Sequence, residues 1–245
     1  MKLLMVWFNL VQNNTTASLD LYAKVEDLLG VQEVTPTLYA HYLLFLQEAN
    51  PTSLLDVGCG SGLFLEQMQQ ALGGASFEGI DLSPHMVAQA KKRGVEAFVK
   101  PLEEVEGRYE VITAVFDMVN YLCFEALSSF LTSVREHLEE GGFFLFDINT
   151  LYGFEEVAVG SFTTEDEMRF VAIESDFNQP LYEATFTLFE KEKACYRRSQ
   201  EKVYQYYHTV ESIVEMSGLA LLSKTPLSLY ELGEADKLFV VLQKK

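Results

Sequence analysis

The segment LLDVGCGSGLFLEQM (54–68) constrains the fold more than any other part of the chain. An apolar run ends in Asp56, glycines follow at 58, 60 and 62, and a helical pattern starts at once. A short buried strand, a tight bend and a helix, in that order, form the opening unit of a βαβ fold. Glycine lets the backbone turn sharply and removes the Cβ that would block a ligand. The helix start supplies unpaired N–H groups. Asp56 disfavours a phosphate there and suits a ligand with a cationic end.

The alternation continues. FEGIDLS (77–83) reads as a second strand, closed by Asp81, and Ser83-Pro84 supplies an N-cap and a first-turn proline for the helix that follows. VEAFVK (95–100), YEVITAVFD (109–117) and FFLFDIN (143–149) read as three more strands, with a helix over EALSSFLTSVREHLEEGG between the last two. LALLSK and KLFVVLQ give two late strands after a helix over 209–218. The pattern predicts an α/β protein with a doubly wound, mostly parallel seven-stranded sheet. Three aromatic-rich runs, 167–177, 181–190 and 193–207, break the alternation and predict an antiparallel three-stranded insertion. The expected division is a helical cover over 1–50, a core from 51–150 and 209–245, and an insertion over 151–208. Pro36 is expected to open the second helix of the cover.

Composition narrows the function. The 245 residues carry 36 acids against 18 Lys and Arg, a net charge of −18, which argues against nucleic acid because phosphate contacts rest on basic side chains. Three widely spaced cysteines give neither a disulfide framework nor a CxxC metal clip, so a cytoplasmic setting without a metal is expected. The first residues, MKLLMVWFNLVQNNTTASLD, imitate a signal peptide, but the apolar stretch falls short of the roughly 20 residues that span a membrane. An N-terminal helix, or a start upstream of the folded domain, is the reading preferred here. Asp81, about 20 residues past the glycine loop, is placed to accept from ribose hydroxyls. A nicotinamide dinucleotide competes for the same features, but Leu63 stands where the third glycine of its fingerprint belongs.

LLDVGCGSG resembles the first motif of class I S-adenosylmethionine-dependent methyltransferases, and FEGIDLSPHMVAQA their second. GRYEVITAVFDMVNYL and LEEGGFFLFDIN are similar to their fourth- and fifth-strand motifs. The meander and KLFVVLQ resemble a bacterial subgroup that includes small-molecule N-methyltransferases. The resemblance covers roughly residues 38–245. It implies that Asp56 and the loop of Gly58, Cys59, Gly60 and Gly62 line the methionine part of the cofactor. Asp81 would take the ribose, Leu82 and Met86 would flank the adenine, and Phe116 would lie beside the amino-acid end. Tyr39 and Tyr42 would reach the cofactor carboxylate. The family often has an acid after the third strand; Lys100-Pro101 stands near that point here, and Glu103 or the Leu102 backbone would substitute.

The implied reaction transfers a methyl group to a small-molecule acceptor. A sulfonium methyl is already activated, so alignment supplies most of the rate and a general base adds about 10²–10⁴ only where the nucleophile arrives protonated. Asp117, at the carboxyl edge of the sheet, is the candidate for orienting the acceptor or taking a proton, with His208 as a second. Asn120, Tyr121 and Asn149 are candidate substrate contacts. The bland readings are turn caps for Asp117 and Asn149, and core for Tyr121 and His208. The insertion would serve as a lid or as a homodimer surface. A non-catalytic protein that binds S-adenosylmethionine is the remaining alternative.

Overall fold

The computed structural model describes residues 14–73, 76–230 and 233–245. The signal-like stretch up to residue 13 lies outside the described residues.

Five strands, β1 (Ser53–Val57), β2 (Ser76–Asp81), β3 (Glu96–Val99), β4 (Tyr109–Ala114) and β5 (Leu138–Asn149), run parallel to one another. A second sheet follows in the chain: β6 (Gly160–Glu165), β7 (Arg169–Asn178), β8 (Leu181–Glu192) and β9 (Cys195–Tyr206), all antiparallel. The last strands, β10 (Ala220–Leu227) and β11 (Lys237–Gln243), return to the first sheet, whose order is β10-β11-β5-β4-β1-β2-β3. Strand order therefore reverses between β1 and β4, and open α/β sheets bind ligands outside the carboxyl ends at such a point. β11 alone runs against the other six strands, so its first residues, not its last, lie at that carboxyl edge: Lys237 pairs with Asn149.

The insertion has four strands rather than the expected three. GSFTTE of β6 escapes a hydrophobic reading because it is an edge strand, exposed at five of its six positions.

The helices are α1 (Thr16–Ala23), α2 (Val31–Ala49), α3 (Leu63–Leu72), α4 (Pro84–Lys92), α5 (Phe124–His137) and α6 (Val210–Ser217). Pro36 lies inside α2, which begins five residues earlier than expected, with the Thr35 hydroxyl donating to the Val31 carbonyl. Ser83 caps α4 by accepting from the Met86 amide at 3.3 Å, with Pro84 in the first turn. The two-glycine stretch after α5 falls within β5, not at the helix end.

Both faces of the central sheet are covered, as the near-continuous apolar strands require. Leu54 and Leu145 point to the side of α2, α3 and α4, while Leu55, Phe144 and Phe146 point to the side of α5 and α6. A third apolar cluster joins α1 to the four-stranded sheet through Leu21, Val25, Val171, Phe186 and Leu188.

Candidate functional site

The glycine bend is a strand end tied to its neighbour. The amides of Gly58 and Cys59 both donate to the Ile80 carbonyl on β2, at 2.8 and 3.0 Å. The Gly60 amide donates to Asp81 Oδ2 at 2.9 Å, and Ser83 N donates to Oδ1 at 2.8 Å. Gly58, Gly60 and Gly62 all have φ between +52° and +78°, where side chains with a Cβ are strained. Their reasons differ. A Cβ on Gly62 would meet Ala90 Cβ at 2.8 Å, so that glycine serves the packing of α3 on α4. A Cβ on Gly58 would strike Met118. A Cβ on Gly60 would meet no protein atom within 4 Å, so its bare backbone faces open space. Cys59 is buried because its small side chain packs where a Cβ on Gly79 would fall.

Asp56 is 2% exposed and accepts from the Thr113 hydroxyl at 2.7 Å. Burial pushes its carboxyl up to about 7, partly offset by Thr113. It thus sits beneath the bend as a buried acid whose ionisation burial opposes, not as an open handle. Asp81 is partly exposed, and burial raises its carboxyl against the pull of three backbone amides. Leu82, 66% exposed, and the half-buried Met86 stand beyond it. In the turn after β3 the Leu102 side chain is core, leaving its backbone and the exposed Glu103 at the edge.

Two expectations on this side separate. Tyr39 packs edge-on against Phe64 and Phe116, with ring centroids 5.1 and 5.7 Å away. Tyr42 is fully buried, and its hydroxyl donates to Asp147 Oδ1 at 2.8 Å, so it is a support beneath the site and not a ligand contact.

Asp147 is the centre of that support. Its carboxylate also accepts from the amides of Phe116, at 2.8 Å, and Asp117, at 2.9 Å. Those two residues have φ of 56° and 49°, a left-handed pair of non-glycine residues at the end of β4. Such conformations cost on the order of 1–3 kcal/mol each and persist only where the surroundings hold them. Lys237, 1% exposed, completes the cluster, with its Nζ 2.6 Å from Asp117 Oδ1 and 3.3 Å from Asp147 Oδ2. Burial alone would lower the Lys237 ammonium, but the two carboxylates outweigh it and hold the group charged. Burial raises Asp147, and Lys237 opposes that.

Beside this turn opens a cavity of about 230 Å³, between the carboxyl edge of the main sheet and the inner face of the four-stranded sheet. Asp117, Tyr121 and Asn149 line it, as does Phe116. Residues that sequence reasoning missed complete it: Tyr22 of α1, Gln205 of β9, and Asp236 and Lys237 at the start of β11. Gln205 Nε2 donates to Asp117 Oδ2 at 2.5 Å, and Asn149 Nδ2 donates to Gln205 Oε1 at 3.3 Å. A lysine opening an otherwise apolar strand was the available signal for Lys237, but only the antiparallel sense of β11 brings it to this edge.

Two other expectations are corrected. His208 does not line the cavity: it is 7% exposed, its Nε2 is 2.8 Å from the Leu122 carbonyl oxygen, and burial lowers its pKa. Asn120 is fully buried, donating to the Tyr206 carbonyl at 2.8 Å and accepting from the Asn149 amide at 3.0 Å. It joins the two sheets instead of facing a substrate. Among the described residues no cluster of His, Cys, Asp or Glu could hold a metal, and no helix is long and apolar enough to cross a membrane.

Residues 54–142 match the family described as a methyltransferase domain. A putative methyltransferase of Geobacillus sp. (strain WCH70) is 33% identical over 124 residues, covering 46% of this chain and 49% of that one. The dTDP-3-amino-3,4,6-trideoxy-alpha-D-glucopyranose N,N-dimethyltransferase of Streptomyces venezuelae is 34% identical over 96 residues, 37% of this chain and 40% of that one. The chain thus spans about half or less of the length of these two relatives. An S-adenosylmethionine-dependent methyltransferase from Clostridium acetobutylicum ATCC 824 superposes with a TM-score of 0.76 at 22% identity, over 92% of this chain and 98% of that one. Residues 54–142 thus resemble a methyltransferase domain, and the chain shares the fold of that S-adenosylmethionine-dependent methyltransferase, with the strand order reversing at β1 and β4.

Proposed function

We propose that this protein transfers a methyl group from S-adenosylmethionine to a small-molecule acceptor held in the 230 Å³ cavity. The observation that carries the reading is the Phe116–Asp117 turn. It borders the cavity on one side, and Phe116 touches Tyr39, next to the glycine bend, on the other. The residues around the bend fit the cofactor. The Gly60 backbone faces open space, Asp81 ends β2 beside it, and Leu82 presents an exposed apolar surface. In this reading Asp81 accepts from the ribose hydroxyls, Leu82, Met86 and the Leu102–Glu103 turn flank the adenine, and Asp56 and Tyr39 serve the amino-acid end. When bound, S-adenosylmethionine supplies a methyl group already activated as a sulfonium.

The protein's own part is alignment and exclusion of water. Asp117 orients the acceptor, with Tyr121 and Asn149 beside it, while the four-stranded sheet and α1 close the cavity from above. That placement favours a lid over a homodimer surface as the role of residues 151–208. Free Cys59, Cys123 and Cys195 support a cytoplasmic setting.

Calorimetric titration with S-adenosylhomocysteine tests the cofactor site. The wild type should bind, and Asp81→Asn should bind about 10–100-fold more weakly, the worth of a hydrogen bond to a charged group. Equal affinity would refute the assignment. Transfer of labelled methyl from S-adenosylmethionine to an acceptor panel tests the reaction, and a nicotinamide absorbance change in its place would favour the oxidoreductase alternative.

A further inference from the structure

Gln205 breaks the pattern of its face of the four-stranded sheet. Val171, Ala184, Phe186, Leu188 and Val203 make the inward face apolar, and Gln205 follows Val203 on the same side of β9. It is 7% exposed, and a buried amide costs free energy unless it is hydrogen-bonded. Its Nε2 donates to Asp117 Oδ2 at 2.5 Å, and its Oε1 accepts from Asn149 Nδ2 at 3.3 Å. The Tyr121 hydroxyl feels the same amide, which opposes the rise that burial imposes on it. The three side chains assigned above to the acceptor are thus all tied to one residue of the sheet that covers the cavity. The other oxygen of Asp117 is fixed from the opposite side, 2.6 Å from Lys237 Nζ. The end of β9 is itself held at this edge, because the carbonyl of the next residue, Tyr206, accepts from Asn120 at 2.8 Å. Only an amide serves both neighbours. A carboxylate at this position cannot donate to Asp117, and a hydrocarbon neither donates nor accepts.

We propose that Gln205 is the positioning residue of the acceptor site. It holds the Asp117 carboxylate and the Asn149 amide in the orientation that aligns the acceptor, so the site is complete only with β9 seated on the edge of the main sheet. None of its hydrogen bonds reaches the glycine bend or Asp81, so its effect falls on the transfer step and not on cofactor affinity. This rests on the methyltransferase reading above and deepens it by naming the residue that orders the acceptor contacts.

The test measures transfer of labelled methyl from S-adenosylmethionine to phenol, aniline and glucosamine by the full chain and two variants. In Gln205→Leu, kcat should fall about 10–100-fold, the cost of a misplacement of about an ångström, while KM for S-adenosylmethionine stays within about threefold. In Gln205→Glu, kcat relative to wild type should rise about tenfold or more between about pH 8 and pH 6, because only the protonated acid donates to Asp117. Lys237, the other charge on Asp117, stays protonated across that range, and Tyr22, Tyr121 and Tyr182 stay neutral. A residue that only fills space gives no such pH profile. A folded Gln205→Leu with kcat within about threefold of wild type overturns the inference, as does a Gln205→Glu whose relative rate is flat with pH. Should Gln205→Leu fail to fold, Gln205→Glu decides alone. Transfer by the wild type to none of the three acceptors overturns the reading beneath the inference and the inference with it, whereas transfer that the variants share in full overturns the inference alone.

Discussion

Replacing Lys237 with Met removes a charge whose surroundings the structure defines closely. The ammonium is 1% exposed and lies 2.6 and 3.3 Å from two carboxylates, one of them, on Asp147, fully buried. Met fills similar volume, so packing changes little and the loss is electrostatic. Breaking a buried pair by removing one partner costs about 3–5 kcal/mol, because the remaining charge stays buried and uncompensated. Against a total stability of about 5–15 kcal/mol this is a large fraction. At about 2–4 °C per kcal/mol for a chain of this size, Tm should fall by roughly 6–20 °C. The matched control is Lys224→Met, whose bridge to Glu211 at 3.2 Å is exposed at both ends, so its loss should leave Tm nearly unchanged. The pH dependence carries a sign. Without Lys237, burial raises the folded-state pKa of Asp147 further above its unfolded value. Stability is then lost as pH rises and regained as pH falls, so the deficit at pH 7.5 should shrink toward pH 5. Urea unfolding at the two pH values measures this. A deficit below about 1 kcal/mol at pH 7.5, or one that grows toward pH 5, would refute the reasoning.

Three further outcomes are expected. Gly60→Val should cost the fold only about 1–2 kcal/mol, because its Cβ meets no protein atom at φ +52°, yet should abolish S-adenosylhomocysteine binding; normal calorimetric affinity in the folded variant would exclude the bend as the site. Asp56, with its carboxyl at about 7, retains its proton up to that pH while the unfolded group loses it near roughly 4, so its contribution to stability falls as pH rises between those values. An ammonium arriving beside it reverses the shift, so cofactor binding at pH 7 should release protons, seen as binding heats that differ between buffers of different ionisation enthalpy; identical heats would contradict it. Asn120→Ala should destabilise by at least about 2 kcal/mol, because the Tyr206 carbonyl and the Asn149 amide lose their buried partner; a loss of methyl transfer without a drop in stability would return Asn120 to the substrate site.

What could be read in advance follows from how local each signal was. The five parallel strands and the glycine bend are written in contiguous residues, where a change of period or a Ser83-Pro84 cap is visible without knowing the fold. Strand β6 is not, because an exposed edge strand needs no apolar alternation. The proposed acceptor cavity was legible only on its sheet-edge side. Asp117, Tyr121 and Asn149 lie at or just past strand ends near the motifs, whereas Gln205, Asp236 and Lys237 arrive from strands 88 to 120 residues away whose direction had to be known first. Tyr42 and His208 show the opposite failure: residue type suggested chemistry, and burial assigns both to support.

Asp147 holds four donors at once, from Tyr42, Phe116, Asp117 and Lys237, about as many as a carboxylate has lone pairs to offer. Nothing remains on it for a ligand. The ring that abuts Tyr39 and the acid that borders the cavity therefore hang from a single saturated anchor, so the placement of the cavity relative to the glycine bend is inherited from folding. Evolution of a new acceptor preference would then act on the cavity walls contributed by β8 and β9, with the anchor left as it stands.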